Sequence, residues 1–462
     1  MTARIAAGHP ATVAAGVEIL QSGGNAADTA IAASLASCVA ETVMTGLLGG
    51  GHAAYYQADG GRAQNLDFFV ALPGLDAERR EVELLELDVP FGAELVHYAV
   101  GIASCGVPGV AAGLGALWER HGSLEWPALV EPALRLAHAG VEMPPAHASC
   151  LAMLAPVMTM NDGARIYSPD GHLLAPGDRL DQPGLVKALE VLAEEGPGSC
   201  YSGSLADALL TFVDELGGLI TRRDLQSYEA LWSDPVERRY LGGRVLTRGD
   251  LSRVPDTLAA LPRLTGLSEA ERAIALAWSL DEEGPEIGGD TTNITVVDAA
   301  GDACVLTTSL GLGSGDYLPG FDLHLNSMLG EADLIRGTLE PGERMGSMMA
   351  PTIVLGDAGL ELAIGAAGGT RLRSALIQVA AGVLDEQLSP ADAVGRPRLH
   401  AANGRVQLEP GFPEDVPLQL ERAGFETRVW PAAHHFFGGV SLATPSSAAG
   451  DPRRSGAAAM VP

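Results

Sequence analysis

Lysine is almost missing from this chain. Among its 462 residues Lys187 stands alone, and the remaining strongly basic residues are all Arg. A phosphate-binding P-loop needs Gly-Lys-Ser/Thr, but Lys187 is preceded by Val186, so that class of nucleotide hydrolase is excluded. A cofactor held as a Schiff base could use only this lysine, which lies in the ordinary helical stretch Gly184-Leu185-Val186-Lys187-Ala188-Leu189. No organic cofactor is therefore expected. Cysteine is scarce and scattered: Cys38, Cys105, Cys150, Cys200 and Cys304 form no C-x-x-C, which argues against a zinc knuckle or a disulfide framework. The eleven His include no H-E-x-x-H, so no metal centre is expected. A G-x-S-x-G elbow for a nucleophilic serine is absent too.

Positive charge is in short supply: 29 Lys and Arg face 58 Asp and Glu, a formal net charge of −29. Such a surface repels phosphate backbones and anionic bilayers, so neither nucleic acid nor membrane is an expected partner. No uncharged stretch suits a membrane span, and the amino end lacks a signal peptide's apolar core. The expectation is a soluble, reduced, cytoplasmic protein. Aromatic residues make up only 5% of the chain while Gly numbers 58, so packing should rely on small side chains and close backbone contact.

What is present is globular: hydrophobic residues are 47% and charged residues 19%. Val13, Val17 and Leu20 mark one helical stripe that ends at Ser22-Gly23-Gly24-Asn25, and Ala26 to Ala40 reads as a helix apolar on every face, hence buried. Strands are expected at His52 to Tyr56 and Ala63 to Val70, then helices at Gly109–Arg120, Ala128–Ala139, Pro183–Glu195 and Leu205–Leu216. Residues 281–290 are acidic, rich in Gly and Pro and without periodicity, which predicts an exposed linker. After it come two hairpins, Asn293–Val297 with Ala303–Ser309 and Thr352–Leu355 with Leu360–Ile364, and a helix opened by Gly368-Gly369-Thr370 and running to about Leu384. Strands in both halves with helices between them predict a layered α/β sandwich.

Two places carry possible chemistry. Thr291-Thr292 stands where the linker meets a strand. If the Asp290–Thr291 bond were cut, Thr291 would offer a hydroxyl nucleophile together with its own amine as general base; alternatively, two Thr residues merely start a strand. Gly365-Ala366-Ala367-Gly368-Gly369-Thr370 joins a strand to a helix. There, converging backbone N–H groups and the helix N-terminus would stabilise an oxyanion, or the glycines simply make a tight turn.

In collinear order, these stretches resemble the γ-glutamyltransferase (γ-glutamyltranspeptidase) family of N-terminal-nucleophile hydrolases. The resemblance rests on His9-Pro10, Ile19 to Ala30, Gly49-Gly50-Gly51, Val107 to Val110, Thr291-Thr292-Asn293, Ala350 to Val354, Gly368 to Arg371, Arg396 to His400 and Asp451-Pro452-Arg453. It implies a four-layer αββα sandwich made by a self-cleaving precursor, with residues 1–290 as the large-subunit-like region, 291–462 as the small one, and both folded as one composite domain. It also implies Thr291 as nucleophile with Asp290 before it at the processing site, Gly368 and Gly369 as the oxyanion hole, and Ser309 as a hydroxyl beside the nucleophile. Ser347 and Glu331 then match groups that hold the γ-glutamyl carboxylate and amine.

Three positions depart from the family pattern. Phe69 stands where the carboxylate-binding Arg belongs, Met348 replaces a second serine, and Gly311 replaces an Asn. The engine looks retained while the pocket turns apolar. Glutathione hydrolysis or γ-glutamyl transfer is the family default; hydrolysis of another acyl substrate through an amide or C–C bond, or an uncut non-catalytic descendant, are the alternatives.

Overall fold

The computed structural model describes residues 2–77, 83–91, 94–284, 290–331, 334–335 and 337–462; the side chains of 90, 91, 94–96 and 290 are outside that description. Thirteen strands fall into two large sheets. In chain order they are β1 (Ala3–Ala7), β2 (Gly50–Gln57), β3 (Arg62–Phe68), β4 (Leu231–Ser233), β5 (Val236–Tyr240), β6 (Gly243–Thr247), β7 (Asp290–Val297), β8 (Ala303–Gly311), β9 (Thr352–Gly356), β10 (Gly359–Ala367), β11 (Gly439–Ala443), β12 (Ala448–Gly450) and β13 (Ala457–Val461). One sheet has seven strands in the order β13-β1-β7-β8-β2-β3-β4, and the other has six, β12-β11-β10-β9-β6-β5. Neighbours in both sheets are antiparallel.

Period-two alternation assigns the faces. Ala54, Tyr56, Val297, Ala303 and Val305 of the larger sheet form one buried cluster with Leu246, Ile353, Leu355, Ala363 and Ala443 of the smaller. The opposite residues of the larger sheet, among them Ala53, Tyr55, Ile294, Val296 and Leu306, pack with helices α1 (Pro10–Gln21) and α2 (Ala26–Ala40) and with Val110–His121, Trp126–Ala139 and Pro183–Glu195. Those of the smaller sheet, Val245, Val354, Leu362, Ile364 and Leu442, pack with the helices Glu269–Leu280 and Arg371–Leu384. Helix and sheet are thus mixed, as the α/β expectation requires.

Helix α2 shows why small residues dominate: all fifteen of its residues are buried. Its start is fixed by a capping box in which Asn25 and Asp28 satisfy each other's backbone N–H groups. Asp298, just past β7, accepts from the Ala26 N–H at 2.9 Å and ties the helix to the sheet. The helix ends at Glu41, whose N–H still reaches the Ser37 carbonyl.

Of the expected linker 281–290, residues 285–289 lie outside the described residues. The described start of it is tied down: Asp281 accepts from the Gly404 N–H, and the Gly284 N–H donates to Asn403. Among the described residues no helix is long and apolar enough to cross a membrane.

Candidate active site

Thr291 is the second residue of β7, 6% exposed, at an irregularity of the ladder. Asp290 pairs with Gly311 and Thr292 with Thr308, so β8 carries one residue more than β7 across this step. Such bulges bend a strand and re-aim its side chains. A cavity of about 370 Å³ opens here, lined by Thr291, Ser309, Phe69, Glu331, Ser347, Met348 and Gly369 together with Met328, Leu334, Met349 and Leu372. Seven of the residues singled out from the sequence therefore meet at one place, although the first and last lie 300 positions apart (369 − 69) in the chain.

The remaining three are accounted for as follows. Gly368 stands one residue before Gly369, at φ 131° against 57° for its neighbour, in the turn that leads from β10 into the helix Arg371–Leu384. Gly311, at φ 69°, lies beside Glu331: a Cβ there would stand 2.6 Å from Glu331 Oε1. Asp290 is placed by its backbone only.

Both serine hydroxyls of the cavity accept from a backbone N–H two residues on. Ser309 Oγ accepts from the Gly311 N–H at 2.8 Å. Ser347 is fixed three ways: its N–H donates to Asp250, its carbonyl accepts from Arg248, and its Oγ accepts from the Met349 N–H. Against these stand the thioethers of Met328, Met348 and Met349, the ring of Phe69 and the alkyl chains of Leu334 and Leu372, so most of the wall is apolar. Phe69 is 1% exposed.

A second, polar cavity of about 290 Å³ adjoins Thr291. It is lined by Gly8, Glu41, His147, Thr292, Asp451 and Arg454 among others. Glu41 is buried, and burial pushes its carboxyl up to about 7 even though Thr292, Thr12 and Arg454 favour its charge. Burial first, with the charges of His9 and Arg454 assisting, holds His147 down at about 3. Sequence reading missed Glu41, Thr12, His147 and Arg454. The available signal was an acid placed directly after fifteen residues of buried-type helix, and an Arg following Asp451-Pro452-Arg453.

Comparison with known proteins follows the same line. The family model described as Gamma-glutamyltranspeptidase matches residues 12–275 and 268–461. The chain belongs to this family, and it is an enzyme of the N-terminal-nucleophile hydrolase class. It is 28% identical to the Acylase ACY 1 proenzyme of Pseudomonas sp. (strain V22), covering 90% of this chain and 85% of that one. It is 25% identical to the Glutathione hydrolase proenzyme of Escherichia coli (strain K12), covering 88% and 83%. In structure it resembles the cephalosporin acylase from Bacillus halodurans, with a TM-score of 0.83 over 99% of this chain and 95% of that one at 22% identity, a likeness of fold.

Proposed function

We propose that this chain is a precursor that cuts its own Asp290–Thr291 bond and then works as an N-terminal threonine hydrolase on amides of an apolar acyl group. The observation that carries the reading is the make-up of the cavity at Thr291. By the family resemblance Phe69 and Met348 stand where a guanidinium and a hydroxyl would recognise a free carboxylate, and four further apolar side chains line the cavity with them. A charge-assisted clamp cannot be replaced by a ring and a thioether without losing that recognition. The relatives named acylases agree with this choice over γ-glutamyl transfer, which stands as the family default.

The chemistry runs through this chain's own groups. Once freed, the Thr291 amine takes the proton of its hydroxyl, and Oγ attacks the substrate carbonyl. The oxyanion faces the backbone N–H groups at Gly368 and Gly369, each donor contributing about 3 kcal/mol. Collapse expels the amine and leaves an ester on Thr291, which water hydrolyses. Ser309 stands beside the nucleophile in the same cavity. Glu331 and Ser347 supply the polar end of the pocket, with Gly311 giving Glu331 its room. The two sheets with helices on their outer faces are read as the αββα sandwich of this class, 1–290 supplying the large chain and 291–462 the small one. The five cysteines are all buried, and a reducing compartment such as the cytoplasm suits them.

Intact mass under denaturing conditions tests the reading. Two chains are expected, the smaller one starting at Thr291 with 172 residues (462 − 290). A single chain of 47.6 kDa that stays whole on incubation would instead identify an uncut, non-catalytic descendant. With cut protein, faster hydrolysis of hexanoyl-p-nitroanilide than of γ-glutamyl-p-nitroanilide is expected, and the reverse order would restore the family default.

A further inference from the structure

We propose that Glu41 and Arg454 are positioning residues that hold the start of the nucleophile strand, Glu41 through the Thr292 hydroxyl and Arg454 through the Thr291 carbonyl, and so aim the nucleophile. This rests on the reading of Thr291 as that nucleophile. Arg454 Nη1 donates to the Thr291 carbonyl at 3.4 Å, and Thr292 Oγ1 donates to Glu41 Oε2. The other oxygen of Glu41 accepts from Thr12 Oγ1 at 2.7 Å, which ties the carboxylate to α1 as well as to the end of α2. One carboxylate thereby joins both helices to the first residues of β7.

The surroundings leave this arrangement little freedom. A Cβ on Gly8 would come within 2.4 Å of Glu41 Oε2 and 2.8 Å of Thr292 Oγ1, so the chain passes close over the pair. Arg454 is 5% exposed and also contacts Met44 Sδ. A Cβ on Gly439 would lie 2.4 Å from its Cδ, and one on Gly368 would lie 3.6 Å from its Nη2. The guanidinium therefore spans from the Thr291 carbonyl to the glycine of the expected oxyanion hole. A substrate oxyanion at that glycine and the nucleophile's own backbone share one anchor.

Glu41 accepts a hydrogen bond at each oxygen, from Thr12 and from Thr292, and protonation would turn one of those acceptors into a donor, which makes the paired grip depend on pH. The groups facing it are the Arg454 guanidinium, Asp451 and His147 across the cavity, His9 whose ring meets His147 at 5.2 Å, and the Cys38 thiol on α2. Burial holds His9 and His147 at about 4 and about 3, and Cys38 up at about 12. None of these three changes charge between about pH 5 and 8, so a transition there belongs to Glu41 or to the Thr291 amine, whose ordinary range is about 7.7–8.0.

The test follows acylation of the small chain by p-nitrophenyl hexanoate, read as added mass against pH, in the cut protein. For the unaltered chain, the logarithm of the rate should climb with a slope approaching 2 on the acid side, because two groups must lose protons. In Glu41→Gln that slope should fall to 1, with a plateau lowered at every pH to between those of the unaltered chain and Glu41→Ala, since the neutral amide keeps only one acceptor oxygen for the two hydroxyls. In Glu41→Ala and in Arg454→Met the plateau should drop more than about tenfold, the cost of a misaimed reactive group. A slope of 2 retained in Glu41→Gln, a Glu41→Gln chain that folds yet stays uncut, or full plateaus in Glu41→Ala and Arg454→Met each overturn the proposal. Should Glu41→Ala fail to fold, the slope in Glu41→Gln decides. Acylation that survives in Thr291→Ala marks a different failure: it removes Thr291 as nucleophile and the positioning role with it.

Discussion

Phe69 lies nearly parallel to His52, their ring centroids 5.5 Å apart and their planes 18° from each other. The imidazole is buried, and its pKa is held well below the ordinary value by burial and then by Arg248 and Arg344. A neutral ring thus backs the apolar wall at Phe69. Replacing the wall should therefore move specificity. For Phe69→Arg combined with Met348→Ser, the kcat/KM ratio of γ-glutamyl-p-nitroanilide to hexanoyl-p-nitroanilide is expected to rise about tenfold or more, a change worth about 1.4 kcal/mol. An unmoved ratio would remove Phe69 and Met348 as the determinants.

Gly311 holds a left-handed conformation, and Glu331 Oε1 and Ser327 Oγ fill the space that a Cβ there would need. In Gly311→Ala the conformational cost alone is about 1–2 kcal/mol, and the two oxygens must also give way. Denaturant unfolding should show a lowered midpoint, corresponding to a loss of that free energy or more. An unchanged midpoint would mean that Glu331 moves aside freely.

Arg398 and Asp451 form an ion pair in which both side chains are only 2% exposed. Asp451 also pairs with Arg453 and accepts from the Val440 N–H, fixing the Pro452–Arg454 turn against β11. Asp451→Ala would strand a buried guanidinium, which costs about 3–5 kcal/mol. Loss of soluble folded protein or a comparably lowered unfolding midpoint is expected; near-native stability would show that Glu409, already paired with Arg453, compensates.

The buried carboxyl of Glu41 sets a pH dependence whose sign can be worked out. Its ordinary value is 4.5 and its folded value about 7, so between them the folded chain keeps a proton that the unfolded chain releases. Stability therefore falls as pH rises through this window, by about 3 kcal/mol at most. Glu41→Gln has no such titration. Its melting temperature relative to the unaltered protein should climb between about pH 5 and 8, and a flat difference would place the carboxyl in an ordinary setting.

How much of this was legible in the sequence depended on how local the cause is. The helices Ala26–Ala40 and Pro183–Glu195 were expected at the bounds observed, because small-residue uniformity and an amphipathic stripe are local patterns. The helix Pro145–Met158 was missed: two prolines precede or open it and Pro156 interrupts it, so composition argued against a helix that packing nonetheless supports. The hairpin of Leu85–Phe91 and Glu94–Val100 was also missed, its acidic residues and Pro90 obscuring the alternation. In the site, Thr291, Ser309 and Gly369 could be named from collinear motifs. Glu41 was not named, since an acid after a helix also reads as a solvated end even where the helix is of buried type, while its partner Thr292 lies 251 positions away.

The strand order has one more consequence. Strand β1 comes from the first residues of the chain, yet it lies between β7 and β13, pairing Arg4 with both Val297 and Met460. A break before Thr291 would leave one fragment's edge woven between two strands of the other, with β2 beyond β8 repeating the interleaving. The products of such a cut would be an inseparable pair under native conditions: dilution would not part them, and denatured halves would have to refold together to regain either sheet.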